Sequence, residues 1–413
     1  MGDRIPSDEQ QDFEYKEWLG DQTFSNVDDD KVKHTLIEEL KTLSKMDVRE
    51  YTLWQKYTEI KRKYPVEDST DLFFESNDNY YPKLNELKEN IWIPESPDDY
   101  LKLEPEVLYT NGTDLVKTWN ALRIFMHTQR NNTNIGRNLF FIVSDRVTGK
   151  YLGICCLSSD FLDLTPRDNY IGWTREQRTK DKRINYTSIG STIIPTQPLG
   201  YNYLGGKLMA LMMISDVPEN AWNERYKNKL AGITTTSLYS SFSQYQNLSY
   251  WNKRGHSSGS IKFEPSKEAI QLVKDWLRYK HTRKYWEWWV AKGLDGMPLK
   301  RDYKQRALSF TYSQMKIPKE YIATNHQRGI YFCRLYENTC EFLREEITED
   351  KLVKRFDNSV EALTKIWKNK YAKKRVAKLL KDGRYNKETL FYNDIIGKSW
   401  EECKETYLKD VGR

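Results

Sequence analysis

Little in this 413-residue chain points to a hydrolase, a metal centre, a disulfide scaffold or a membrane anchor. Its five cysteines, Cys155, Cys156, Cys333, Cys340 and Cys403, form no Cys-x-x-Cys pair and no even framework, which fits a reducing cytosol. The histidines, His34, His127, His256, His281 and His326, are scattered, and no Gly-x-Ser-x-Gly elbow exists. Zinc-type spacing is absent too, because His326, Cys333 and Cys340 sit among core-like aromatics without a fourth partner. No apolar run approaches a membrane span, and the N-terminus is acidic and polar rather than signal-like. Pro6 stands where a myristoylation pattern needs Ser or Thr. The expectation is a cytoplasmic protein with no metal and no membrane contact.

Charge is present in quantity and is unevenly placed. Residues 1 to 110 carry 27 acidic and 14 basic side chains, a balance of −13, so the remainder holds +20 of the overall +7. A body with that excess suits a phosphate backbone, since neutralising phosphates releases counterions. DNA is therefore the expected partner. The acidic N-terminal region masks that surface, mimics nucleic acid or simply solubilises.

The chain reads as four regions: an acidic, mainly helical 1–108, a core over 109–262, a basic aromatic-rich helical 263–345, and a basic helical 346–413. Residues 1 to about 30 read as a loose tail ending in Asp28-Asp-Asp30, followed by helices over Lys31–Lys45 and Val48–Tyr64. Pro, Asp and Asn between Tyr80 and Pro105 mark a boundary. The core begins with a helix capped by Thr113 and carrying Trp119, Leu122, Phe125 and Met126. Two β-rich runs follow, Asn138–Asp145 and Tyr151–Ser158, joined by the short Arg146–Lys150 loop of a hairpin.

The strand Thr187–Ile194 leads into Pro195-Thr-Gln-Pro-Leu-Gly-Tyr-Asn-Tyr-Leu-Gly-Gly206 and then an apolar helix. A helix start offers unpaired N–H groups and a positive dipole end, and Gly200, Gly205 and Gly206 let backbone approach an anion closely. That is the form of a diphosphate cradle, although such turns also serve simply to bend the chain. A strand over Leu230–Tyr239 comes next, then a short helix ending in an aromatic-basic-Gly segment at Tyr250-Trp-Asn-Lys-Arg-Gly255.

This order of hairpin, strand, Gly-loop, helix and strand resembles the GNAT-type N-acetyltransferase core. Within it, Asn169-Tyr-Ile-Gly-Trp-Thr174 with Arg178, Ser188–Pro195, Tyr250–Gly259, and Arg328-Gly-Ile-Tyr-Phe332 with Asn338 and Phe342-Leu343 resemble the Mom DNA-modifying branch and Druantia protein A, over roughly residues 120 to 345. The resemblance implies an α+β fold, a mixed twisted GNAT-like sheet flanked by helices with helical extensions. It implies acyl-CoA or a related donor held by Ile194, Gln197, Gly200, Tyr203, Gly205 and Gly206. Asn202, however, stands where the family loop has a second small residue. In that fold the strand before the Gly-loop splays from the next one to admit the donor arm. The leaving-group acid is expected at Tyr245 or Tyr250; Thr236 and Ser237, with Thr235 and Tyr239, line the strand end; and His256 is a possible base. Tyr250 and His256 are expected in one pocket.

Two helical tracts suit nucleic acid. Ala269–Trp289 interleaves Trp276, Tyr279, Tyr285, Trp286, Trp288 and Trp289 with Lys274, Arg278, Lys280, Arg283 and Lys284, so it is either a base-stacking surface or a core stripe edged by cations. Lys365–Arg384 has nine Lys or Arg against Asp382, among them Lys373, Lys374 and Arg375. With Lys253 and Arg254 beside the core loop, these are the phosphate-contact candidates. The leading expectation is a phage or mobile-element DNA-modifying enzyme that acts on a base amine, flipping the base or using single strands, with Trp251 or Tyr203 available for stacking. The alternatives are a nucleic-acid-binding protein that keeps the fold without catalysis, which the Asn202 departure favours, and acylation of a protein or small amine.

Overall fold

The computed structural model describes residues 8–63, 74–76, 79–81, 84–126, 136–238, 243–257, 261–295, 301–324, 327–388 and 398–410. His127, Tyr239, Ser258-Gly259 and His326, all singled out above, lie outside them. The chain divides into two compact units, one of residues 1–51 with 260–325 and the other of 52–259 with 326–413. The units change over at 51/52, 259/260 and 325/326, and residues 108 and 345 both lie inside the second unit.

The second unit holds a seven-stranded sheet: β1 Pro105–Tyr109, β2 Asn138–Asp145, β3 Tyr151–Ser159, β4 Thr187–Pro195, β5 Gly232–Ser237, β6 Trp251–His256 and β7 Gly329–Arg334. Their order is β1-β2-β3-β4-β5-β7-β6, antiparallel except for the parallel pair β4 and β5. The fold is α+β with a mixed sheet. Alternation along β2 sorts its side chains to two cores, since successive residues point to opposite faces. Leu139, Phe141 and Val143 join the larger core with Leu208, Met209 and Met212 of the helix Gly205–Met212. Ile142 joins Trp119 and Leu122 of the helix Leu115–Met126.

One expected element differs. The segment after β5 does not make a helix up to Gly255: residues 244–250 form turns, and Trp251–His256 is the edge strand β6, paired with β7. Its β-branched-poor sequence hides this, and pairing with the much later β7 decides it. The basic tract is helical across Val360–Lys381 with one π turn at Trp367–Ala372, burying Trp367, Tyr371, Val376 and Leu379.

In the first unit the expected loose tail contains a helix, Asp8–Gly20. The helix Asp29–Ser44 buries Val32, Leu36, Leu40 and Leu43 at the i, i+4 and i, i+3 spacings of one face. The aromatic tract is two helices, Lys267–Lys280 and Thr282–Trp288, separated at His281. Trp276, Tyr285, Trp286 and Trp289 are buried, so the core-stripe reading holds and these rings are not a base-stacking surface. Tyr15 and Trp18 of the first helix pack edge-on and stacked against Trp286 and Tyr285, with centroids 5.6 and 6.2 Å apart.

Candidate functional site

β4 and β5 pair only over Thr187–Ile189 and Gly232–Thr234. Beyond that point β4 continues beside β3 as far as Pro195, and β5 continues beside β7 as far as Ser237. A wedge opens between them, at the place where the sequence puts the Gly-loop. From Pro195 the chain makes the short helix Leu199–Tyr203, turns at Leu204 in the left-handed region (φ 53°), and starts the helix at Gly205.

The wedge is occupied by this chain's own side chains. Gln244 donates its Nε2 to the Ile193 carbonyl at 2.9 Å and to the Tyr245 hydroxyl at 3.0 Å. Thr235 donates to the Gly190 carbonyl at 2.9 Å, and its hydroxyl lies 3.4 Å from that of Tyr245. Tyr245 is buried, and loss of solvent pushes its phenol up to about 12. Lys207 sits in the first turn of the helix, donating to the Gln244 carbonyl at 2.9 Å and also to the Gln246 carbonyl, with its ammonium 5.2 Å from the Tyr371 ring centre. Burial, with help from the Lys370 charge, lowers it to about 8.

The expected cradle glycines are crowded by the chain itself. A Cβ on Gly206 would lie 2.2 Å from Gln244 Oε1, one on Gly205 2.8 Å from Leu199 Cγ, and one on Gly200 2.7 Å from Gln197 Nε2. Gln197 accepts from the Tyr201 N–H at 3.0 Å, and Ile194 is held in the ladder opposite Ile154. Tyr203 is buried, its hydroxyl 2.6 Å from that of Tyr385, and burial raises its pKa. Asn202 is buried too. It donates to the Asn386 carbonyl and accepts from the Asn386 N–H at 3.3 Å, so the departure from the family loop is a tie to the C-terminal segment. Trp251 is buried and donates its indole N–H to the Ala210 carbonyl at 3.0 Å. Trp251 and Tyr203 are therefore unavailable for stacking on a base.

The proposed single pocket for Tyr250 and His256 does not form. Tyr250 precedes β6 and stacks on Phe356 at 3.8 Å, whereas His256 ends the strand opposite Gly329. They are six positions apart along extended chain, at about 3.3 Å per residue. What the sheet does assemble is Thr236, Ser237 and His256 at one end: Ser237 and His256 flank Gly329 from either side, and Thr236 faces Ile330.

Around Trp173 of the Asn169–Thr174 motif, Asp160, Arg167, Asp168 and Arg178 build a buried ion network. Arg167 Nη1 lies 2.8 Å from Asp160 Oδ1, an ion contact without hydrogen-bond alignment, while its Nε and Nη2 donate to Asp168 Oδ1 at 2.9 and 2.7 Å. Trp173 donates to the same oxygen at 2.9 Å, and the Arg167 and Arg178 guanidiniums flank the Trp173 ring. Thr234 of β5 donates to Asp160 Oδ2 at 2.9 Å, tying this network to the splayed pair.

Of the phosphate candidates, Lys253, Lys373 and Lys374 are exposed. Arg375 donates to the Tyr201 carbonyl at 3.0 Å, and Arg254 lies flat on Tyr170 with its Cζ 3.3 Å from the ring centre. In the first unit, Arg278 donates to Gln22, and Lys284 sits 5.1 Å from the Phe310 ring centre. Gln244 and Lys207 carried no sequence signal, since each depends on long-range contact, and the Asp160–Arg167 pair, seven positions apart, has no motif of its own.

No solved structure matches the chain. The Druantia protein DruA of Escherichia coli (strain UMEA 4076-1) is 26% identical over 164 residues, covering 36% of this chain and 40% of that protein. The chain thus aligns with less than half the length of that curated relative. Residues 54–345, most of the chain and the whole seven-stranded sheet, match the family described as Druantia protein DruA, and the chain belongs to that family.

Proposed function

We propose that this chain is a nucleic-acid-binding protein of phage defence that keeps an acyltransferase-like sheet while its own side chains close the donor wedge. The observation that carries this is Gln244, whose Nε2 takes the Ile193 carbonyl where a donor arm would pair. Gly206, packed against the same side chain, leaves no room beside the helix start. In this arrangement the residues do not fit an acyl-CoA. The basic balance after residue 110 and the exposed Lys253, Lys373 and Lys374 support DNA as the partner.

A second reading, DNA-base acylation of the Mom-like kind, is favoured by the splay of β4 from β5 beyond Ile189, with Tyr245 as the hydroxyl at its base. It requires Gln244 to leave the wedge. Nucleoside mass spectrometry of DNA from cells expressing the protein, with calorimetric titration of acetyl-CoA, separates the two. Salt-dependent DNA binding with no new nucleoside and no donor heat is the expected result. A new nucleoside mass overturns the closed-wedge reading in favour of the enzyme.

A further inference from the structure

Among the described residues, three arginines of the second unit lie near one another and none forms an ion pair with a carboxylate. Arg254 lies on the edge strand β6 at a bulge, between the pairs Lys253↔Tyr331 and Gly255↔Ile330. Arg334 ends the neighbouring strand β7. Arg355 follows from the segment that adds on beyond it: the Arg355 N–H donates to the Leu335 carbonyl at 3.2 Å, and Tyr336 bridges to Lys354. Phe356, stacked on Tyr250, anchors that segment.

Apart from the Tyr170 ring beneath Arg254, 3.3 Å from its Cζ, their guanidiniums have few partners among the described residues. Arg334 donates once, to the Glu337 carbonyl at 2.9 Å, and neither Arg254 nor Arg355 makes a side-chain hydrogen bond or ion pair among the described residues. Arg254 Nε, Arg334 Nε and Arg355 Nη1 are all buried and unbonded. Burial lowers the pKa of Arg254 most, the Tyr170 beneath it opposes that, and the nearby Arg334 and Arg355 charges add to the lowering. In the same unit the fully buried Arg167 is matched by Asp160 and Asp168.

Three close cations holding unsatisfied donors cost stability unless an anion completes them, because a buried donor without a partner loses its hydration and like charges repel. The guanidinium fork suits phosphate oxygens bidentately. We propose that Arg254, Arg334 and Arg355 form a phosphodiester-binding site for nucleic acid on the edge-strand side of the sheet. The site rests on the nucleic-acid part of the function proposed above and not on acyl transfer. Of its residues only Arg254 was a phosphate candidate from sequence, because the other two are separated by 21 residues of chain and meet only through the β7 pairing.

The test uses the full chain, a labelled single-stranded DNA oligonucleotide, and the variants Arg334→Gln and Arg355→Gln. Arg355 has no side-chain bond to lose, so that variant is expected to melt at or above the wild-type midpoint in anion-free buffer. Each variant is expected to bind DNA roughly tenfold more weakly, as loss of a charge-assisted bond predicts. Each should also flatten the slope of log affinity against log salt by about 0.7. Inorganic phosphate should raise the melting midpoint of the wild type and not that of Arg355→Gln. If both variants bind DNA with wild-type affinity and slope, the site is overturned while DNA binding by the protein stands. If the wild type binds no oligonucleotide but phosphate still stabilises it through Arg355, the nucleic-acid partner is overturned and with it the function proposed above.

Discussion

Gln244 Oε1 and Gly206 share one space: a single added carbon on the glycine would sit 2.2 Å from the amide oxygen, while the amide nitrogen of the same side chain holds Ile193 at 2.9 Å. The helix start and the wedge are therefore coupled through one residue, and a change at either is felt at the other.

Gly206→Val is expected to destabilise the fold by about 1–3 kcal/mol through overpacking. Gln244→Ala removes two hydrogen bonds and leaves a carbonyl unmatched, for about 1–3 kcal/mol. In the double variant the truncated residue 244 makes room for the valine, so the combined loss falls short of the sum. Urea unfolding of the four proteins measures this, and strict additivity refutes the shared-space account.

Removing a partner from the buried network carries a larger cost. Asp160→Ala leaves the fully buried Arg167 with Asp168 as its one close carboxylate and also unpairs Thr234. A loss near the lower end of about 3–5 kcal/mol is expected, because a buried cation that keeps one of two carboxylates is only partly compensated. Surface pairs such as Lys102 with Asp99 should cost under about 1 kcal/mol when broken. Denaturation midpoints that rank the two alike would contradict this.

Lys207 gives stability a pH dependence with a definite sign. Its folded value, about 8, lies below the ordinary 10.5, so the unfolded chain binds the proton more tightly. The cost of burying the ammonium is complete below pH 8 and is relieved as pH rises from 8 to 10.5. Replacing it by methionine should remove that rise, which amounts to about 1–2 kcal/mol once solvent screening is allowed for. Unfolding free energies of Lys207→Met and wild type across pH 7 to 10 supply the comparison; parallel curves would show that Lys207 is not the titrating group.

The acidic N-terminal region contributes core as well as charge to the first unit. Asp12 pairs with Arg283 at 2.6 Å, Trp276 donates to Asp29 at 2.7 Å, and Glu39 accepts from Ser266 at 2.8 Å. Deleting residues 1–21 should uncover Arg283 and Trp286 and raise DNA affinity several-fold at low salt, with a steeper salt slope. Deleting residues 1–110 instead removes Val32, Leu36 and Leu40 from the unit's core and is expected to yield an unfolded first unit by circular dichroism, not a tighter binder. Equal DNA affinity of the full chain and the shorter deletion would exclude masking.

The amino-acid order alone carried the hairpin, the strand into the Gly-loop, the helix after it and the amphipathic basic tract, because each is written in local periodicity and turn residues. It carried the charge asymmetry as well, since charge is additive along a chain. Tertiary structure decided what those elements face. Trp276 and Trp286 are core because the acidic helices cover them; Asn202 is a tether because Asn386 reaches it from far along the chain; and β6 is a strand because β7 supplies its hydrogen bonds. The wedge filled by Gln244 and the arginine cluster follow the same logic, for burial and unpaired charge are properties of neighbours in space. A residue acquires those neighbours only when distant segments close on one another.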